Sequence, residues 1–268
     1  MILLLGLPAG LLIGMSLGAL GAGGSILTVP ALVYLLGQTP HQATSASLLV
    51  VGAAALAGVG AHWRAGRVRL GPGLVFGAVG AAGSVLGSKA SALADPNVLL
   101  LGFAGLMVAA GVGMLARGRN RQHEPDEDGA GGGGGVATKR RVDTARAVKV
   151  LVAATVVGLL TGFFGVGGGF VVVPALVLAL GYDTATAVGT SLVVIVINSA
   201  VALATRVAGH GVSFDWPLLG VFLVAAVAGV LLGNRIASRV APQKLTTAFA
   251  VMLLVVAFYT AVRSALQL

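Results

Sequence analysis

The sequence contains no cysteine and few charged or aromatic residues. The absence of cysteine excludes disulfides, thiolate metal sites and thiol catalysis. Charged residues make up 9% of the 268 positions, and hydrophobic residues make up 57%. Soluble domains carry about a quarter charged residues. Because so few polar groups cannot cover a soluble surface, the composition predicts a protein whose solvent is lipid.

Acidic side chains are almost absent outside one segment of the chain. Of the 17 basic and 8 acidic residues, 13 lie in residues 117–149. The acids elsewhere are Asp95, Asp183 and Asp215, which lie between apolar runs. No carboxylate is therefore predicted within a membrane span, which disfavours a carboxylate proton relay or a carboxylate Na⁺ site.

The sequence is duplicated with an offset of 144 positions. The block at 29–33, Val-Pro-Ala-Leu-Val, recurs at 173–177, and five glycines of the first half fall on five of the second. Chance matching in a glycine-rich apolar sequence is the alternative. The shared block and the ordered prolines argue against chance and indicate two homologous repeats. The glycines that match are Gly14, Gly18, Gly21, Gly23 and Gly24 with Gly158, Gly162, Gly165, Gly167 and Gly168.

Residues 117–149 separate the two repeats and have a different composition. They include a run of five glycines at 131–135 and a cluster of acids at 124–128. Such a segment has almost nothing to bury and is predicted to be a flexible linker. The predicted organisation is a first transmembrane repeat at 1–116, the linker at 117–149 and a second transmembrane repeat at 150–268.

Each repeat contains four apolar stretches, and the first stretch has an unusual length. It exceeds 30 residues in both repeats, whereas about 20 residues cross a bilayer as a helix. Its glycines lie in the middle, so one broken helix, a short hairpin and a re-entrant pair of half-helices remain open. We expect an all-α polytopic membrane protein whose repeats each have a glycine-broken first segment and three transmembrane helices. The stretches are 3–36, 42–61, 74–87, 98–115, 150–180, 186–204, 217–233 and 246–262.

Basic residues cluster in different loops of the two repeats. Residues 64–69 carry three arginines after the second stretch of the first repeat, whereas 235–244 carry two arginines and a lysine after the third stretch of the second. Cytoplasmic loops are enriched in Lys and Arg, which explains the net charge of +9 without nucleic acid. Both clusters and the linker are cytoplasmic only if each first stretch enters and leaves on the same side. The loops therefore predict inverted repeats with a cytoplasmic linker. The first segment is interpreted as starting at Met1, without a removable signal, because no basic region precedes it.

The duplicated block resembles the sulfite exporter TauE/SafE family of membrane permeases. The block is Gly-Ala-Gly-Gly-Ser-Ile-Leu-Thr-Val-Pro-Ala-Leu at 21–32 and Gly-Val-Gly-Gly-Gly-Phe-Val-Val-Val-Pro-Ala-Leu at 165–176. Small-residue runs at 43–48 and 187–192 extend the resemblance, which covers the chain apart from the linker. It implies transport of small anions, such as sulfite or organosulfur compounds, across the inner membrane. No cofactor and no metal site are expected.

The glycine breaks suggest where an anion could bind. Non-helical backbone at membrane depth persists only where protein or a hydrated cavity satisfies it, and glycine permits the required dihedrals. Half-helices beginning near 28–30 and 172–174 would direct free N–H groups at the breaks, and two such ends meeting near the midplane would form an anion site. Close helix packing at the glycines is the alternative. The predicted substrate-binding residues are Gly21, Gly23, Gly24, Ser25, Thr44, Ser45, Ser47, Gly165, Gly167, Gly168, Gly169, Thr190, Ser191 and Asn198.

Each polar candidate also has a structural explanation. A serine or threonine hydroxyl can bond its own helix carbonyl, and Asn198 fits substrate contact and a helix–helix bond equally. His41, His62 and His210 lie at segment ends, where an interfacial role is favoured over proton sensing. An intramembrane enzyme and a non-transporting assembly subunit are the rival functions, but no Gly-x-Ser-x-Gly or His-Glu-x-x-His motif is present. The sequence is compatible with a homo-oligomer and leaves the oligomeric state open.

Overall fold

The described residues form ten α-helices and one π-helical turn. The computed structural model describes residues 2–21, 23–91, 96–120, 144–164, 169–210 and 214–265. The glycines at 165–168 and residues 121–143 of the predicted linker lie outside this set. The elements are α1 Ile2–Leu20, α2 Gly23–Pro30, the π-helical turn Ala31–Leu35, α3 Pro40–Arg64, α4 Leu70–Ser91, α5 Pro96–Asn120, α6 Thr144–Phe164, α7 Gly169–Leu178, α8 Thr184–His210, α9 Trp216–Ala237 and α10 Pro242–Ala265.

Four of these helices are long and apolar enough to cross a membrane. They correspond to Gln42–Arg64, Leu70–Gly87, Thr184–Ala208 and Trp216–Ala237, and four shorter apolar helices accompany them. The part of the chain that the structure describes is helical and contains no strand. This agrees with the expected all-α polytopic membrane protein. Helix α5 continues to Asn120 and α6 begins at Thr144, so the ends of the predicted linker overlap helices.

The long first stretch of the first repeat is a helical hairpin, and that of the second repeat contains the two helices α6 and α7. Gly21 ends α1 with a positive φ of 79°, and α2 folds back, because a Cβ on Gly24 would lie 2.7 Å from Leu17 Cβ. The 8 residues of α2 and the 5 of the π-helical turn together span roughly 20 Å. The 10 residues of α7 span roughly 15 Å. Both lengths are short of the hydrocarbon core of about 30 Å.

The predicted start of the two half-helices is wrong by about one turn or more. Helix α2 begins at Gly23 and ends at Pro30, and α7 begins at Gly169 with Pro174 inside it. The first turn of α2 is already helical, since Thr28 Oγ1 donates to the Gly24 carbonyl at 2.7 Å. The prolines therefore do not start the helices. After Pro30 the backbone changes to π spacing, where Leu36 N donates to Ala31 O at 3.3 Å.

The first helix of each repeat packs against the fourth helix of the other repeat. Helix α1 lies along α9, and α6 lies along α4. Added Cβ atoms on Gly14 and Gly18 would overlap the carbonyl groups of Ala226 and Val230. Residue numbers increase in the same direction along both helices of this contact, so α1 and α9 are parallel. Small residues allow such close approach of helix backbones in membranes.

The third helices, α3 and α8, contact each other in the antiparallel direction. A Cβ on Gly52 would lie 3.0 Å from Ser199 Cβ, and one on Gly58 would lie 2.9 Å from Leu192 Cδ1. The number on α3 rises as the number on α8 falls, so their amino-terminal turns lie at opposite ends of the pair. Equivalent core positions are buried in both repeats. Leu32 and its equivalent Leu176 are fully buried, and so are Phe76 and Phe222, which match when the offset is increased by two residues.

Candidate functional site

The first glycine break lies against the second repeat. A Cβ on Gly21 would lie 2.8 Å from Ser191 Oγ, 3.2 Å from Val188 Cα and 3.3 Å from Val173 Cγ2. Its backbone N–H donates to Leu17 O at 2.8 Å and completes the last turn of α1. Positive φ and this crowding both require glycine here. The break is therefore enclosed by α7 and α8, two residues before the start of α2.

Two matching serines bond their own helices in the same way. Ser47 Oγ donates to Thr44 O at 2.8 Å, and Ser191 Oγ donates to Val188 O at 2.8 Å. The structural explanation therefore holds for both serines. A hydroxyl has one hydrogen to donate, and an anion requires donors. Neither serine can donate to an anion while it keeps this bond to its own helix.

The predicted polar residues form two clusters instead of one. Thr44, Ser45 and Ser47 lie in the first two turns of α3, whereas Thr190 and Ser191 lie in the first two turns of α8. Because α3 and α8 are antiparallel, these turns are at opposite ends. Gly58 of α3 contacts Leu192, the neighbour of Ser191. Ser47 lies roughly 17 Å away from Gly58 along α3. The predicted polar residues therefore do not converge on a single site.

Asn198 lies between the two clusters. Its neighbour Ser199 contacts α3 at Gly52, close to the middle of the α3–α8 contact. The Asn198 Oδ1 atom is buried and has no hydrogen-bond partner among the described residues. The helix–helix hydrogen bond considered from the sequence is thus not formed by this oxygen within that part of the chain.

The remaining predicted residues are only partly described. Gly23 and Gly169 are the first residues of α2 and α7, and Gly24 packs against α1. Nothing is described of the Ser25 side chain, and Gly165, Gly167 and Gly168 lie outside the described residues. Thr190 Oγ1 accepts a hydrogen bond from the backbone N–H of Arg69 at 3.1 Å, so it joins the start of α8 to the loop before α4.

Two basic residues near the clusters were not predicted as site residues. Arg206 Nη1 donates to Thr44 Oγ1 at 2.9 Å and to Ser45 Oγ at 3.4 Å. His62 is 1% exposed and bonds the Gly18 carbonyl through Nε2 at 3.2 Å. Since a carbonyl only accepts, Nε2 carries the hydrogen. The offset of 144 positions places His62 on Arg206, and that signal in the sequence could have identified both.

The chain matches the family model "Sulfite exporter TauE/SafE" over residues 6–260. It is 35% identical over 267 residues to a protein of Xylella fastidiosa (strain 9a5c) named "Probable membrane transporter protein", covering 98% of this chain and 96% of that protein. It is 29% identical over 257 residues to "Probable membrane transporter protein YunE" of Bacillus subtilis (strain 168), covering 91% and 90% of the two chains. No solved structure matches. The chain therefore belongs to the sulfite exporter TauE/SafE family, and it is a membrane transporter.

Proposed function

We propose that the chain is an inner-membrane permease for small anions, such as sulfite or organosulfur compounds, and that the amino-terminal ends of α2 and α7 hold the anion. The observation that carries this proposal is the enclosure of the first break by the other repeat. The first N–H groups of a helix have no partner within it, and the positive end of the helix dipole favours an anion. Helix α2 begins two residues after Gly21, at the point where Gly21 meets Ser191.

The separation of the polar clusters favours one anion position at each break. The two positions would lie near opposite ends of the antiparallel pair α3 and α8. An anion would then pass from one position to the other along the middle of this pair. Asn198 lies on that route, and its buried Oδ1 lacks a protein partner among the described residues. Its amide could donate to an anion in transit, as polar groups along substrate pathways do.

The proposal includes opposite orientation of the two repeats. Equivalent helices α3 and α8 are antiparallel in contact, which supports a pseudo-two-fold axis perpendicular to them. Because α9 follows α8 through a short loop, it runs in the direction of α3. The arginines after α3 and the basic residues after α9 then lie on one face, which we assign to the cytoplasm together with the linker.

Single cysteines test the orientation, because the chain has none of its own. Ala65→Cys follows α3, Ser238→Cys follows α9 and Trp216→Cys is at the first residue of α9, all at exposed positions. A membrane-impermeant maleimide applied to intact cells should label position 216 only. Repeats of the same orientation would instead place positions 65 and 216 on one face and give them equal labelling.

A binding screen tests the anion site. Purified protein is heated with sulfite, with organosulfonates, with carboxylates or with chloride, and the rise in Tm is measured. We expect sulfite or a sulfonate to stabilise the wild type. Gly21→Ala should weaken that binding about tenfold or more, the size of one charged hydrogen bond, because the added Cβ would collide with Ser191 and displace the start of α2. Gly60→Ala is the matched control, since a Cβ there meets nothing within 4 Å. If none of these anions stabilised the wild type, the assignment of small anions as substrates would be wrong.

A further inference from the structure

Arg206 is a cation within a membrane-spanning segment. It belongs to the apolar segment Thr184–Ala208 of α8 and is half-buried. Among the described residues its guanidinium contacts two hydroxyls and forms no ion pair with a carboxylate. A charged side chain in a spanning helix is costly and marks a functional site by default. A cation that no nearby acid neutralises is suited to an anionic ligand.

The surroundings of Arg206 are duplicated at His62. His62 lies near the carboxyl-terminal end of α3 as Arg206 lies near that of α8, and each residue contacts the amino-terminal part of the antiparallel partner helix. A Cβ on Gly189 would lie 3.2 Å from His62 Cβ, and the residue equivalent to Gly189 is Ser45, which accepts from Arg206. His62 Nδ1 is buried without a hydrogen-bond partner among the described residues. Both repeats therefore place a basic side chain with unused polar capacity at the same point of the fold.

We propose that Arg206, held by Thr44 and Ser45, is the anion-binding cation of the permease, and that its ligand is an oxyanion such as sulfite or a sulfonate head group. This inference rests on the proposed anion transport. The guanidinium presents five N–H donors in a planar fork, and its bonds to Thr44 and Ser45 all come from Nη1. The donors on Nη2 and Nε form the edge that binds two oxygens of an oxyanion in the bidentate manner.

The hydroxyls give this cation a fixed orientation. Ser45 is 1% exposed, so the bond to its hydroxyl directs Nη1 into the protein and away from lipid. Since Arg206 lies on α8 and both hydroxyls lie on α3, the site contains residues of both repeats. Relative movement of the repeats would change this site directly, as transport across a repeat interface requires.

The alternative is that Arg206 only forms a structural hydrogen bond between α8 and α3. Such a bond contributes to stability, whereas a contact with the ligand also determines the anion affinity. We therefore compare wild type, Arg206→Gln and Arg206→Lys by the KM of sulfite flux in proteoliposomes and by the rise in Tm that sulfite produces. Arg239→Gln is the matched control, because Arg239 is an exposed arginine in the turn after α9.

The expected result is a rise in KM of about tenfold or more for Arg206→Gln, the size of one charge-assisted hydrogen bond. Arg206→Lys keeps the charge but loses the planar fork, so its KM should lie between those of wild type and Arg206→Gln. Arg239→Gln should match wild type. An unchanged KM and an unchanged sulfite effect on Tm in Arg206→Gln would overturn the proposal.

Two further variants keep the proposal testable if Arg206→Gln does not fold. Thr44→Val retains the cation but removes one orienting acceptor, so it should raise the KM severalfold at nearly wild-type Tm. Arg206→His should bind sulfite better below about pH 6 than at neutral pH, because only the protonated imidazole is a cation. Measuring wild type at the same pH values separates this effect from that of native histidines such as His62. A wild-type KM in Thr44→Val, or no gain for Arg206→His at low pH, would count against the proposal.

The tests of the inference and of the proposed function give different outcomes. If wild type neither moves nor binds any oxyanion, anion transport itself is wrong. If wild type transports sulfite and Arg206→Gln does so with the same KM, transport stands and the role of Arg206 is refuted.

Discussion

Replacing Gly14 by alanine should weaken the contact between the two repeats. The added Cβ would overlap the Ala226 carbonyl oxygen and lie 2.8 Å from its carbon, so α1 and α9 would have to separate. Overpacking of this kind costs about 1–3 kcal/mol. Gly220→Ala on α9 is the control, because a Cβ there meets nothing within 4 Å and alanine favours helix by about 1 kcal/mol over glycine.

Thermal unfolding of the purified variants in detergent measures the difference. Gly14→Ala should lower the Tm by several degrees, and Gly220→Ala should leave it unchanged or raise it. Gly158→Ala should behave like Gly14→Ala, because its Cβ would lie 2.7 Å from Gly80 Cα at the equivalent contact of α6 with α4. Equal Tm values for Gly14→Ala and Gly220→Ala would refute the view that close backbone packing joins the repeats.

The helix caps and the matching serines give two more predictions. Thr39→Ala and Asp183→Ala each remove a side chain that accepts from the first turn of α3 or α8, so each should lower the free energy of unfolding by about 1 kcal/mol; no loss in either would show that these caps are not formed in the membrane. Ser47→Ala and Ser191→Ala remove hydroxyls that donate to their own helices, so the KM for sulfite should change less than that of Arg206→Gln. A tenfold rise in either serine variant would mean that the hydroxyl turns to the anion.

The sequence predicted the breaks because duplication and composition are local signals. Glycines at equivalent positions and first apolar stretches of unusual length lead directly to two repeats with a broken first segment. The starts of the half-helices were misplaced because proline favours a helix start without requiring one. Gly23 and Gly169 begin their helices immediately after the breaks, whereas Pro30 is the last residue of α2 and Pro174 lies in the interior of α7.

The arrangement of the site depended on how far each residue lies from the axis that relates the repeats, which the inverted orientation predicted from the loops does not reveal. Ser47 and Ser191 match in the repeat, and matching residues would meet only if they lay near the axis that relates the repeats. The antiparallel contact of α3 with α8 instead places them at opposite ends. The sequence did not indicate a role for Arg206 because this residue follows the predicted apolar stretch 186–204, and because its match with His62 joins different residue types.

The initial rate of sulfite uptake by proteoliposomes that contain the wild-type chain tests the central claim most directly. We expect saturable uptake that exceeds protein-free vesicles and increases when the interior is made positive. It should continue without a Na⁺ gradient, because no acid lies within a described membrane-spanning segment. Uptake equal to that of protein-free vesicles, for sulfite and for organosulfonates alike, would contradict an anion permease.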